Sequence, residues 1–336
     1  REEPDAEESA RTARHGKDDQ SMWRRLLYIL AGLIFLAGAV LLVLPAGEDL
    51  FAGYRNRQQI EEFRERGQEA IDKDNTSEGS ASDSNTSGGS ASADSDLSEL
   101  MQSYNARIYE EGQSELKDAW SFEQTEFDFA GTGMDDQMIG YLTIPSMELE
   151  LPLYIGADQT NLSKGAAVLG QTSMPVGGEN TNCVIAAHRG YGGTAMFREI
   201  EALQPGDKVE ITNLWETLSY EVVKSIVIYP DDIDAVKIIP GEDLVTLVTC
   251  HPYTKNYQRY VVYCRRSGEG ENMKAEDLHL ADGVAFQSSQ PEIRKEQFLT
   301  TAGLVLLAGA CLILPLCLIV GKRSAGKKGA RRKRRN

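Results

Sequence analysis

Between residues 138 and 266 the chain is a succession of short β-rich runs: IGYLTIP, LELPLYIG, NCVIAAH, DKVEITN, LSYEVVKSIVIY, DLVTLVTC and RYVVYC. Gly, Pro, Asn or Asp separates each from the next. Runs this short, rich in β-branched and aromatic residues, cannot each bury a face as a separate helix. Many strands at close spacing must share one core, so seven or eight strands are expected to close into an antiparallel β-barrel or to pack as a sandwich. One helix is expected among them, around TAMFREIEAL (194–203).

Two apolar runs bracket this region. LLYILAGLIFLAGAVLLVL (26–44) follows Arg24 and Arg25, and FLTTAGLVLLAGACLILPLCLIV (298–320) holds no charge. Each is long enough to cross a bilayer as a helix. Basic residues flank the outer end of both, and 322–335 holds nine Lys or Arg and no acid. The positive-inside rule then places both termini in the cytoplasm and the middle outside, a two-pass membrane protein with an extracellular β domain. The first run exceeds a signal-peptide core and is expected to stay as an anchor. The basic tail reads as a topology anchor on anionic lipid. The net charge is −16 despite that tail. So acidic a middle offers no basic face to a phosphate backbone, and no nucleic-acid partner is expected.

The organisation expected is therefore a cytoplasmic tail (1–25), a first span (26–45) and a charged, exposed juxtamembrane helix (46–73). An acidic Ser/Gly linker follows (74–98), too poor in apolar residues to fold. Next come a helix with a possible lid (99–137), in which Leu100, Tyr104 and Ile108 fall four apart, and the β domain (138–267). A juxtamembrane linker (268–297), the second span (298–320) and a basic tail (321–336) complete the chain.

Five cysteines and four histidines narrow the chemistry. Cys311 and Cys317 lie in the second apolar run. Cys183 and Cys264 sit in buried-looking strands and are expected to stay reduced, although a pairing between them is open. Cys250 is different: DLVTLVTC ends on it, and Arg259 opens RYVVYC nine residues later. A nucleophilic thiol needs a basic or cationic partner. His15 belongs to the N-terminal tail and His279 to a polar stretch. His188, at the end of NCVIAAH, stands at a strand tip as Cys250 does, and two such tips can meet at one mouth of a barrel. His251 is the rival partner, disfavoured because adjacent strand residues face opposite ways, yet kept open by the bend that Pro252 introduces. A guanidinium such as Arg259 could hold a carbonyl oxygen as it gains charge. No Cys/His cluster has metal-ligand spacing, so no metal or cofactor is expected.

TLVTCHPYTKNYQR (246–259) resembles the active-site strand and loop of the sortases, whose signature is T-L-x-T-C followed by an arginine. AAHRGYGGTAMF resembles the histidine motif of the class C, pilin-polymerising sortases. IGYLTIPSMELELPLYIGAD and LSKGAAVLGQTSMPVGGEN resemble that class's opening strands and the loop before the histidine. The resemblance covers about 138–266. It implies a mainly β fold, a sortase-type closed β-barrel with a few short helices and an N-terminal helical or lid extension, flanked here by two transmembrane helices. It further implies a transpeptidase on a Gram-positive surface. Cys250 would be the nucleophile, His188 the general acid and base, and Arg259 the group that steadies substrate or oxyanion. The substrate implied is an LPXTG-like sorting signal, with a pilin lysine or a cell-wall peptide as amine acceptor. A sortase that anchors surface proteins to the wall, and a non-catalytic membrane-tethered scaffold, are the alternatives.

Class C members carry a lid with an Asp-Pro-aromatic motif. Asp118-Ala119-Trp120 stands at the corresponding place without the proline. If the correspondence holds, Asp118 approaches Cys250 and Trp120 stacks on Arg259. The other reading is an ordinary amphipathic turn.

Overall fold

The computed structural model describes residues 52–67, 89–121, 137–191, 194–268 and 278–305, with isolated positions at 32, 35, 308 and 309. Most of 26–44 and of 306–320, read above as membrane spans, lies outside the described residues. Among the described residues no helix is long and apolar enough to cross a membrane. The chain divides into two compact units, one of Glu48–Glu296 and one of Arg1–Gly47 with Gln297–Asn336.

The unit Glu48–Glu296 contains eight strands: β1 Met138–Ile144, β2 Leu149–Ile155, β3 Ala166–Val168, β4 Thr181–Ala186, β5 Lys208–Thr212, β6 Thr217–Ile228, β7 Asp243–His251 and β8 Gln258–Arg266. They close in the order β1-β2-β3-β4-β7-β8-β6-β5. The barrel expected from the sequence is present, but it is not wholly antiparallel: β2 with β3 and β4 with β7 pair in parallel. Parallel neighbours need crossovers, and these are supplied by α3 (Gln159–Lys164) and by the long excursion between β4 and β7.

Strand periodicity sorts the side chains into two apolar layers. Leu142, Leu153, Val168, Ile185, Ile211, Leu218, Val245 and Val262 belong to a cluster drawn from all eight strands, which fills the barrel. Tyr154, Val184, Ile226, Leu244, Val248, Val261 and Tyr263 form a second cluster on the outer wall. In β6 the inward residues are even-numbered through Val222, and Val227 then takes the same layer. A register shift between Val222 and Lys224 against β8 makes that change of parity. β7 is buried along its whole length, which is why its sequence reads as one apolar run and not as an alternation.

Outside the barrel the structure departs from the sequence reading in four places. The helix over 52–67 (α1) is not simply exposed: Ile60 and Phe63 are buried in the outer cluster, and Arg64 bonds Glu150 at 2.8 Å. α2 runs Gly89–Glu111 and so begins eleven residues before Leu100, where the apolar repeat starts, within the segment read as linker. Its packed stripe of Leu97, Met101, Tyr104 and Ile108 anchors the helix against the barrel. TAMFREIEAL is not a helix: turns lead to one 3-10 turn at Ile200–Ala202, and Met196 takes φ 43°, which no α-helix accommodates. Finally, 278–289 is not a free linker. Leu278 and Leu280 are buried in the outer cluster, and Val284 N–H donates to the Val227 carbonyl at 2.7 Å. Gly283 at φ 71° crosses β6 so closely that a Cβ would lie 2.8 Å from the Val227 oxygen.

Candidate active site

The register of two strand pairs assembles the site. Cys250 in β7 lies directly across from Arg259 in β8. Directly opposed residues share a face of the sheet, so thiol and guanidinium stand side by side on the outer wall. On the other flank β4 runs parallel to β7 with Ala186 opposite Val248, and Ala187 N–H continues the ladder to the Val248 carbonyl at 3.2 Å. Thr249 Oγ1 closes the seam by donating to the Ala187 carbonyl at 2.7 Å. One residue beyond each of that last pair come His188 and Cys250, which line one pocket with Arg189, Gly190, Tyr253, Thr254 and Asn256. The structure thus brings Cys250, His188 and Arg259 to one end of the barrel.

His188 is held from three sides. Its carbonyl accepts from Phe197 N–H at 3.0 Å. Its ring stacks on Tyr191 with centroids 4.6 Å apart, and its Nδ1 accepts from the Trp120 indole at 3.5 Å. Gly190 at φ 93° makes the turn that returns Tyr191 over the ring. Burial favours the uncharged imidazole and lowers the pKa of His188.

Asp118 and Trp120 cover the same end. α2 is pinned before β4, where Asn105 accepts from Met174 N–H at 2.7 Å and donates to the Met174 carbonyl at 3.3 Å. Gly112 at φ 72° ends the helix. Gln113 then bridges the Gln171 carbonyl at 2.8 Å and the Ile238 N–H at 2.7 Å. This delivers Asp118 to Arg259, whose Nε and Nη2 each donate to the carboxylate at 2.7 Å. The Arg259 guanidinium carbon sits 4.8 Å from the Trp120 ring centroid. Trp120 therefore stacks on Arg259 as the sequence correspondence expects, whereas the direct partner of Asp118 is the guanidinium and not the thiol. A carboxylate gains two charge-assisted bonds there and would gain at most one weak bond from sulfur. Ala119 is buried over an apolar pocket lined by Leu169, Ile228, Ile233, Val236 and Val248.

The covered site is electrostatically quiet. Burial pushes the Cys250 thiol up to about 11, with Arg259 and Arg189 pulling it down and Asp118 pushing it further up. Burial disfavours the Arg259 cation, but the bonds to Asp118 outweigh that and raise its pKa. Burial thus favours the uncharged form of both Cys250 and His188 in this arrangement.

His251 faces the other way, as strand alternation requires. It is fully buried on the inner side and meets Phe286 edge-on at 5.3 Å. Its Nδ1 lies 2.7 Å from Arg189 Nη1. An arginine nitrogen can only donate, so His251 Nδ1 accepts and the ring proton sits on Nε2. Cys183 and Cys264 are free, buried, and separated by Val245, which pairs with both. Sequence reasoning missed Arg189 and Glu201, which form a buried ion pair beneath the site. Arg189 stood in view beside His188, but nothing in REIEAL marks Glu201. No group of three or more His, Cys, Asp or Glu able to hold a metal occurs among the described residues.

Comparison with known proteins agrees with this geometry. The profile of the sortase domain matches residues 142–267. Sortase A of Bacillus anthracis is 30% identical over 172 residues, 51% of this chain and 80% of that protein. Sortase A of Streptococcus agalactiae is 28% identical over 144 residues, 42% of this chain but only 57% of that relative. Among solved structures, sortase C of Streptococcus pneumoniae, described for its bearing on catalysis and pilin substrate specificity, superposes with a TM-score of 0.51. It is 31% identical, covering 62% of this chain and 96% of that one.

Proposed function

Since the chain belongs to the sortase family of cysteine transpeptidases, we propose that it cleaves an LPXTG-like sorting signal and joins the new carboxyl end to a pilin lysine. The observation that carries this reading is the cross-strand pair Cys250–Arg259, with His188 across the pocket from the thiol. Likeness to a pilin sortase supports the pilus role. The two apolar runs and their basic flanks support a membrane-anchored enzyme with its barrel outside the cell.

The roles follow from chemistry. The Cys250 thiolate attacks the threonine carbonyl carbon of the signal. The carbonyl oxygen becomes an oxyanion opposite Arg259, which supplies a fixed positive charge. His188, protonated from the thiol, gives that proton to the departing glycine nitrogen as the C–N bond breaks, leaving a thioester on Cys250. The incoming amine then attacks the thioester carbon. His188 takes its proton, the C–S bond breaks, and an amide joins signal and acceptor.

Asp118 stands where the substrate carbonyl must go, so the Asp118–Trp120 segment acts as a lid that has to leave before the first step. The apolar pocket under Ala119 would then receive an apolar side chain of the signal. The test incubates the full chain, wild type and Asp118→Ala, with LPXTG-type peptides and reads the mass of the Cys250 peptide. An acyl adduct on Cys250, lost in His188→Ala and Cys250→Ala, is expected. No adduct with any peptide in either form would overturn the assignment. Transfer to a wall peptide but to no pilin lysine would move the enzyme to wall anchoring.

A further inference from the structure

Beneath Cys250, on the inner side of β7, lies a buried network that the transpeptidation scheme does not use. Arg189 is its hub. One guanidinium nitrogen donates to the Cys250 carbonyl at 3.4 Å and to His251 Nδ1 at 2.7 Å. The other meets Glu201 Oε1 in a tight ion pair whose side chains are 2% and 4% exposed. Arg189 also lies over the Tyr260 ring at 5.7 Å. It is the second cation acting on the thiol, and the one the lid does not engage.

Glu201 is held in turn by the segment that follows the barrel. Ser288 Oγ donates to its Oε2 at 2.5 Å, and Ser289 N–H to its oxygens at 3.1 and 3.0 Å. Ser289 Oγ accepts from Tyr253 N–H at 3.0 Å, and Tyr253 lines the pocket around Cys250. Phe286 covers His251 and Tyr260 at 5.3 and 5.6 Å. Residues 278–289 thus form a strap fastened to β6 at one end and to the underside of the site at the other. Glu201 thus connects to the end of β7 through Arg189, which it holds by the ion pair and which in turn bonds the Cys250 carbonyl.

We propose that Glu201 is a positioning residue for Cys250, fixing Arg189 against the end of β7, and that the strap completes the arrangement through Ser288 and Ser289. The site then draws on residues outside the eight strands, and a barrel without its strap is an incomplete enzyme. The inference builds on Cys250 as nucleophile, but its test needs no sorting signal. In the full chain carrying Asp118→Ala, so that the lid does not limit access, the rate of Cys250 alkylation by iodoacetamide is measured together with thermal stability. Glu201→Gln is expected to slow alkylation about tenfold, because Arg189 loses the partner that keeps its charge near the sulfur. Ser288→Ala is expected to slow it about threefold, and Ser288→Thr, which keeps the hydroxyl, to restore it. Glu201→Gln with Ser288→Ala should be no slower than Glu201→Gln alone, since the strap acts through the carboxylate. Unchanged rates with a lowered melting temperature would reduce the network to a structural tie and overturn the proposal. So would effects that multiply in the double variant. Failure to cleave any sorting peptide leaves these rates untouched, so the two ideas fail separately.

Discussion

Removing the carboxylate of Asp118 tests whether the segment across the site is a gate. Asp118 is 15% exposed and Arg259 8%, and two bonds of 2.7 Å join them. Hydrogen bonds to charged groups are worth about 1.5–3 kcal/mol each, but both ions regain water when the lid swings away. About 2–3 kcal/mol is a reasonable net share, roughly 30- to 150-fold in the open–closed equilibrium. If the wild-type lid is open about 1% of the time, the variant is open in roughly 20–60% of molecules. Apparent substrate affinity scales with the open fraction, so kcat/KM for a sorting peptide should rise about 20- to 60-fold, chiefly through KM. Alkylation of Cys250 should accelerate at least as much, because Asp118 also pushes the thiol pKa up. Trp120→Ala should give a smaller gain, since a cation–π contact is worth about 0.5–2 kcal/mol. Steady-state cleavage and iodoacetamide trapping are the assays. An Asp118→Ala enzyme no faster than wild type in either would refute gating.

Three further outcomes follow from the electrostatics and the strand spacing. The native thiol of Cys250 holds its proton to about 11, against 9.0 when unperturbed. Its share of stability is therefore complete below about pH 9 and lost as pH rises through 11, so urea melts should fall less steeply over this window in Cys250→Ser than in wild type. Glu201 is opposed by burial but held well below the carboxylate range by the Ser288 hydroxyl and the Arg189 guanidinium. Stability that is present above pH 4.5 is lost as pH falls toward its native value, and Glu201→Gln should show a shallower acid transition by circular dichroism. Cys183 and Cys264 flank Val245 on neighbouring strands, a separation of about two strand spacings or ~10 Å. That exceeds disulfide reach, so peptide mapping after oxidation should find no link between them, and native labelling of Asp118→Ala should mark Cys250 alone of the three.

What the sequence disclosed and what it hid divide along local and long-range lines. Seven strands were legible because each carries its own run of β-branched residues between turn formers. β3, only Ala166–Val168, was not, since three small residues make no pattern. The meeting of Cys250 with Arg259 was legible because a hairpin is local. His188 was legible because a polar residue ending an apolar run marks a strand tip. Glu201 was hidden: its partners Arg189, Ser288 and Ser289 lie 12, 87 and 88 residues away in the chain. The periodicity of TAMFREIEAL misled for the same reason. Met196, Phe197, Ile200 and Leu203 are all buried, but in loops that wrap the barrel mouth and not on one helix face. Alternation along β7 did predict that His251 turns away from Cys250.

The absent proline in Asp118-Ala119-Trp120 bears on how the proposed gate is built. A proline would fix the backbone after Asp118; here hydrogen bonds do so. Asp118 Oδ2 accepts from Trp120 N–H at 3.1 Å, and its carbonyl accepts from Ser121 N–H at 3.0 Å and Ser121 Oγ at 2.8 Å. One carboxylate thus caps the turn and binds Arg259, while the two bonds to the Asp118 carbonyl hold the turn whether or not Arg259 is engaged. A substrate must then replace a carboxylate that takes two charge-assisted bonds from Arg259 with a neutral carbonyl oxygen that carries no charge to pair with it. The difference has to come from elsewhere. Ala119 covers the apolar wall formed by Leu169, Ile228, Ile233, Val236 and Val248, and burying a leucine-sized side chain against that wall once the segment has left would contribute about 1.5–3 kcal/mol. On this argument a sorting signal displaces the lid by its apolar residue and not by its scissile carbonyl. Replacing that residue with alanine should cost the wild-type enzyme more in kcat/KM than it costs Asp118→Ala.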